Sequence, residues 1–213
     1  MTTPRELILI GGGEHARVIA DAARSCPEKW KLVGFVDSNL SRASQEQLGL
    51  PGYGSDEDAI GLAQRVWFIL AIGRVDSANM RRKLVERYSL GGSRWATVVH
   101  RNSWVSPTAA LGAGCYIGPG SVLQTGARVG SHAIINTAAV VEHDVSVGDY
   151  SSLAPGVVVG GGTTIGTACF LGLGCRIRDH IQLGNRVVVG MGSVVTRSVA
   201  DNTTVVGVPA RKL

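Results

Sequence analysis

Residues 105–200, set out six at a time, read VSPTAA LGAGCY IGPGSV LQTGAR VGSHAI INTAAV VEHDVS VGDYSS LAPGVV VGGGTT IGTACF LGLGCR IRDHIQ LGNRVV VGMGSV VTRSVA. Sixteen units follow one another without an insertion, and each opens on an aliphatic residue, from Val105, Leu111 and Ile117 to Val189 and Val195. Glycine often comes next, as at Gly112, Gly130, Gly148, Gly166 and Gly184. The fifth position is small or β-branched throughout, with Ile181 the largest occupant. An α-helix would place its apolar residues three and four apart, and here they fall six apart. A fixed hexapeptide period is the sign of a parallel β-helix, and the many Val, Ile and Thr residues favour strands.

The stretch resembles the left-handed β-helix of the hexapeptide acyltransferases. That resemblance implies three hexads per triangular coil, so residues 18 apart stack, and sixteen hexads make between five and six coils. The opener and the fifth residue fill a narrow core. A rod of this kind has flat faces and no pocket of its own, so it needs a neighbouring subunit to build a cleft.

The chain has 213 residues, enough for one large or two small domains, and a net charge of +5. Basic residues form no long run, which suits a phosphate-bearing small ligand and disfavours nucleic acid. Cys115, Cys169 and Cys175 fall at inward fifth positions, where they act as small hydrophobes. The fourth cysteine is Cys26, and no metal-ligand spacing is present. With no signal peptide and no transmembrane run, a reduced cytoplasmic setting without membrane contact is expected.

Ahead of the rod, residues 1–99 read as an α/β unit. Residues 6–10 are a buried strand, Gly11-Gly12-Gly13-Glu14-His15 a glycine-rich turn, Ala16–Ser25 a helix and Leu32–Val36 a second strand ending at Asp37. Gly11, Gly13 and Ala16 fit the spacing G-x-G-x-x-G/A, and Asp37 stands where a ribose-binding acid belongs. Glycines there let a phosphate approach N–H groups at a helix N-terminus. Leu40–Ser55 reads as loop with a turn at Pro51-Gly52, Asp56–Gln64 as a short helix and Val66–Ile72 as a strand closed by Gly73-Arg74. Ser77–Tyr88 reads as a helix with Met80, Leu84 and Val85 inward and its arginines outward, and Trp95–Val99 as a strand. About four strands make one mononucleotide-binding half, so the expected ligand is a nucleotide or a nucleotide joined to something else. Residues 201–213 read as a tail beyond the repeat.

One hexad departs from the pattern. In Val141-Glu142-His143-Asp144-Val145-Ser146, glutamate replaces the usual glycine and a histidine sits between two acids. A surface imidazole held by a carboxylate is a candidate general base. The residue 18 positions on is Gly161, inside Gly160-Gly161-Gly162, where glycine would open space for a ligand and offer a backbone N–H. His132 and His180 lie in ordinary hexads, His100 in the connector and His15 in the glycine turn.

GGGEH in a small nucleotide-type domain, followed by a hexapeptide rod with Asn136 and Glu142-His143-Asp144, is similar to the sugar acetyltransferases of the sialic-acid O-acetyltransferase type. Within that group it looks most like the bacterial N-acetyltransferases of nucleotide-linked 4-amino-4,6-dideoxy sugars. The tail Gly207-Val208-Pro209-Ala210-Arg211-Lys212 resembles the G-x-P-A-[KR] ending of hexapeptide acyltransferases. The resemblance implies a homotrimer with active sites between subunits, acetyl-CoA as donor and no metal. It gives His143 as base; Asp144 is expected to orient the ring, with Glu142 as the alternative, and Gly161 N–H is the candidate oxyanion donor. Gly11, Gly12, Gly13, Glu14, His15, Asp37, Gly73 and Arg74 would hold the sugar nucleotide. Acetyl-CoA would run near Gly161, Gly172-Leu173 and Gly190-Met191, with its phosphates at Arg178, Arg197 or Lys212. O-acetylation of a sialic acid by the same histidine, and a non-enzymatic scaffold, are the competing readings. A second histidine present in some relatives is here Ser152.

Overall fold

The computed structural model describes residues 3–39, 42–75 and 77–213. The chain divides into two compact units, Met1–Arg101 and Asn102–Leu213.

The first unit runs β1 (Arg5–Ile10), α1 (Glu14–Arg24), β2 (Trp30–Val36), α2 (Arg42–Leu48), β3 (Gly52–Tyr53), α3 (Asp56–Ile60), β4 (Trp67–Leu70), α4 (Ala78–Leu90), β5 (Arg94–Trp95) and β6 (Val98–Val99). Strands β3-β2-β1-β4-β5 form one five-stranded parallel sheet. Leu7, Ile8, Leu9 and Ile10 of the central strand are all buried, as the unbroken apolar run requires of a strand covered on both faces. Phe68 stacks edge-on against Tyr88 with ring centroids 5.1 Å apart, pinning α4 to β4.

Several expectations are corrected here. Helix α1 begins at Glu14, so Glu14 and His15 form its first turn and are not part of the glycine loop. The stretch read as loop from Leu40 to Ser55 contains α2 and β3, while Leu40 and Ser41 lie outside the described residues. In α4 the inward stripe runs through Ser77, Arg81 and Tyr88, leaving Arg81 only 2% exposed and Met80 51% exposed. Helical phase overrode side-chain type: residues 77, 81 and 88 fall on one face at a 3.6-residue period, and Met80 is a full 100° away from Arg81. Leu84 and Val85 do pack against the core, as read.

The second unit is a three-sided parallel β-helix. Sixteen two-residue strands, β7 (Trp104–Val105) to β22 (Val194–Val195), each end on a hexad opener. Partners are 18 residues apart, as Leu123 beside Val105 and Val141. One sheet stacks Val105, Leu123, Val141, Val159, Ile177 and Val195; the other two stack Leu111 to Leu183 and Ile117 to Val189. Every opener from Ile117 onward is buried, as are the fifth residues from Cys115 to Ser193. Burial raises the thiols of Cys115, Cys169 and Cys175, the first to about 11 and the last to about 12, so they stay protonated and inert. From Gly114 to Gly192 the fourth residue of each hexad has positive φ, the turn that carries the chain round each corner.

The tail does not merely end the repeat. The last coil is shortened to 16 residues, as Leu183 bridges to Val199 and Val188 pairs with Thr204. Strand β23 (Thr204–Gly207) thus continues one sheet in parallel, and β24 (Ala210–Lys212) folds back antiparallel upon it.

Candidate active site

His143 is the third residue of its hexad, at the corner after Val141, and its side chain is 53% exposed. Its Nδ1 lies 3.0 Å from Asp144 Oδ2. A carboxylate only accepts, so Nδ1 carries the proton and Nε2 is left with a free lone pair. Asp144 is fixed in turn: it takes φ of 58°, its N–H donates to Thr125 O at 3.0 Å, and its Oδ1 sits over Gly126 where a Cβ would stand. Glu142 makes no side-chain bond among the described residues. The geometry therefore selects Asp144 over Glu142 as the group that touches the ring.

On its other side the ring leans over Gly161. A Cβ there would meet His143 Nε2 at 2.5 Å and Cε1 at 2.7 Å. The coils are tied at this point by Gly162 N–H donating to His143 O at 2.9 Å. Gly161 N–H has no acceptor among the described residues, unlike Ser131 N–H and Thr167 N–H at the same turn position on another corner, which donate to Asp149 and Asn185. A base nitrogen and an N–H donor with no acceptor among the described residues thus stand side by side.

Residues read as the acetyl-CoA path fall into two groups. Gly161, Arg178 and Arg197 share the His143 corner, following Val159, Ile177 and Val195. Gly172-Leu173 and Gly190-Met191 follow Leu171 and Val189 on a different corner, with Leu173 and Met191 exposed. One chain does not bring the two groups together. Arg178 leans on Asp179 at 3.6 Å, and Lys212 is exposed in β24.

The first unit holds a cleft of about 830 Å³ at the carboxyl ends of β1 and β4. That is where strand order reverses and where open parallel sheets bind ligands. Gly11, Gly13, Glu14, His15, Asp37, Gly73 and Arg74 line it. Gly12 does not: it is buried, and a Cβ there would strike Phe35 at 2.6 Å. Its N–H donates to Asp37 Oδ2 at 2.7 Å, while Asp37 Oδ1 accepts from Asn39 N–H at 2.8 Å. Asp37 therefore braces the glycine turn as well as facing the cleft. Gly11 needs its φ of 114°, whereas a side chain on Gly13 would meet only open space.

His15 packs its ring 2.9 Å from where a Gly73 Cβ would be. Burial, and then the charge of Arg81, push its pKa down to about 4, so it is a neutral imidazole at physiological pH. Sequence reading missed Asp56, Glu57 and Arg87 in the same cleft. Arg87 pairs with Asp56 at 2.7 Å and with Glu57, and Tyr88 OH donates to Asp56 Oδ1 at 2.8 Å. These partners lie some 30 residues apart, beyond any local pattern; the helical period of α4 was the one available signal.

Two family models match the chain: the PglD N-terminal domain over residues 6–88 and the hexapeptide repeat of succinyl-transferase over residues 162–197. Among solved structures, a point mutant of perosamine N-acetyltransferase from Caulobacter crescentus, in complex with CoA and GDP-perosamine, is 33% identical. That match covers 98% of this chain and 96% of the other with a TM-score of 0.90. The acetyltransferase domain of PglB from Neisseria gonorrhoeae FA1090, in complex with acetyl coenzyme A, is 28% identical over 99% of this chain and 100% of that one, at a TM-score of 0.89. WeeI from Acinetobacter baumannii AYE is 27% identical over 97% and 99%, at 0.87.

Proposed function

Because the chain belongs to the hexapeptide-repeat sugar acetyltransferases of the sialic-acid O-acetyltransferase-like family, we propose that it moves the acetyl group of acetyl-CoA onto the amine of a nucleotide-linked 4-amino-4,6-dideoxy sugar. The observation that carries this reading is the pairing on one rod corner of an Asp144-held His143 with the Gly161 N–H, which has no acceptor among the described residues. The ligands bound by the relatives, CoA with GDP-perosamine and acetyl coenzyme A, support this choice of donor and acceptor class.

In this mechanism the sugar amine attacks the thioester carbonyl while His143 Nε2 removes its proton. Negative charge gathers on the carbonyl oxygen, which accepts from Gly161 N–H; such a donor is worth about 3 kcal/mol. The C–S bond then breaks, and the His143 imidazolium returns its proton to the departing thiolate. The products are the N-acetyl sugar nucleotide and CoA. Asp144 keeps Nε2 in its basic tautomer and stabilises the imidazolium.

The Rossmann-like first unit holds the nucleotide in its cleft, with Gly13 and the α1 N-terminus toward the phosphates. The left-handed rod assembles as a trimer. Leu173 and Met191 lie on a corner other than that of His143, so an acetyl-CoA touching both needs one corner from each of two adjacent copies. The test is acetyl-CoA with a panel of UDP-, GDP- and dTDP-linked amino sugars, and activated sialic acid beside them, followed by thiol release. Turnover with an amino sugar and not with the hydroxyl acceptor supports the reading; the reverse overturns it.

A further inference from the structure

The corner above His143 carries a second imidazole that the mechanism leaves unused. His180 is 37 residues further on, which is two coils higher and one turn position over. Its backbone N–H donates to Gly161 O at 2.9 Å. Its ring leans back over Gly162, where a Cβ would meet Cε1 at 2.7 Å and Nδ1 closer still. His143 leans over Gly161 from the opposite side. Two imidazoles thus converge on one Gly-Gly floor, from the coil below it and the coil above.

Leaning on a glycine is not in itself functional. His132 does the same over Gly114, but it is 5% exposed and stacked against Tyr150 at 5.2 Å, so packing accounts for it. His180 is exposed and has no such ring neighbour, and among the described residues its side chain makes no hydrogen bond or ion pair. Above the floor the corner carries Arg178, Asp179 and Arg197, with Arg178 3.6 Å from Asp179; the coil below supplies Glu142 and Asp144. A donor with its acetyl carbonyl at Gly161 and its phosphates at those arginines passes His180 on the way.

Resting on the proposed function, we propose that His180 hydrogen-bonds the amide nearest the thioester in the pantetheine arm, and so sets where the acetyl carbonyl stands over Gly161. That amide follows the sulfur after a spacer of two carbons, a reach that matches one coil rise of about 4.8 Å. An imidazole serves an amide as donor through one nitrogen and as acceptor through the other. His180 is therefore a donor-binding residue and takes no proton from the reaction.

The experiment uses the full chain with His180→Leu and His180→Asn, and three acetyl donors. They are acetyl-CoA, the acetyl thioester of N-acetylcysteamine, which keeps only the first amide, and the acetyl thioester of ethanethiol, which lacks it. His180→Leu should raise KM roughly three- to tenfold for the first two donors, as one lost hydrogen bond implies. It should leave the ethanethiol ester and the sugar-nucleotide KM unchanged, and His180→Asn should restore most of the loss. Equal losses with all three donors, a loss confined to acetyl-CoA, or no loss at all would overturn the assignment. Calorimetry with CoA alone separates this from the function itself. Wild-type protein that binds no CoA sinks the proposed function, whereas tight binding that His180→Leu does not weaken sinks only the role of His180.

Discussion

His143 Nε2 occupies the space in which a side chain on Gly161 would begin. A Cβ at that glycine would stand 2.5 Å from the nitrogen. Glycine here is a condition of the histidine's position, because the ring reaches one coil upward and rests on bare backbone. Gly161→Ala should push the ring away from the N–H beside it. A displacement of about 1 Å costs on the order of 10²-fold in rate. We expect kcat to fall by that order while the thermal midpoint hardly moves, measured by steady-state kinetics alongside calorimetry.

His143→Ala should lower kcat by about 10²–10⁴-fold, with both KM values shifting far less. Raising the pH should recover part of the loss, since more of the acceptor amine is then free without help. A variant that keeps wild-type kcat at neutral pH while chemistry limits the rate would remove His143 from the mechanism.

Only one of the two acids beside His143 touches it, and the kinetics should divide them. Asp144→Asn keeps the shape but loses the carboxylate that accepts from Nδ1 at 3.0 Å, so kcat should drop roughly tenfold or more, yet less than for His143→Ala. Glu142→Gln should stay within about twofold of wild type. The opposite order would transfer the orienting role to Glu142.

In the first unit Gly13 is the clean probe of the nucleotide cleft. Gly11 and Gly12 are held by the fold, by a φ of 114° and by Phe35, but a Cβ on Gly13 has no protein atom within 4 Å. Gly13→Val should therefore fold normally and raise the sugar-nucleotide KM about tenfold or more by keeping phosphate off the backbone. The acetyl-CoA KM should stay put; equal changes in both would contradict the division of substrates between the two units.

His15 makes the first unit acid-sensitive. Its pKa is near 4 when folded against 6.5 when unfolded, so below pH 6.5 the unfolded chain binds the extra proton and the folded one does not. Stability is complete above pH 6.5 and falls as pH drops toward 4, by roughly 3 kcal/mol at most. His15→Gln should flatten that part of the stability profile, read as the unfolding midpoint of the first unit in urea between pH 7 and pH 4.5.

The hexapeptide period by itself determined the rod. A core one side chain wide repeats the same environment every six residues, so each opener from Ile117 on and each inward cysteine had to be written into the sequence in register. The α/β character of the first unit was legible on other grounds, from apolar runs closed by Gly11 and Gly73, but β3 within the supposed loop was not. The His143 hexad stood out because it broke that register. Tertiary structure alone decided the rest. Asp144 rather than Glu142 faces the ring because the left-handed turn at φ 58° swings the fourth residue's carboxylate back over Gly126. Arg81 lies inward because its helical phase puts it on the face shared with Ser77 and Tyr88, and the lean of the His180 ring over Gly162 is a matter of side-chain direction. Contacts of that kind depend on the direction of side chains across neighbouring strands, which no spacing along one strand encodes.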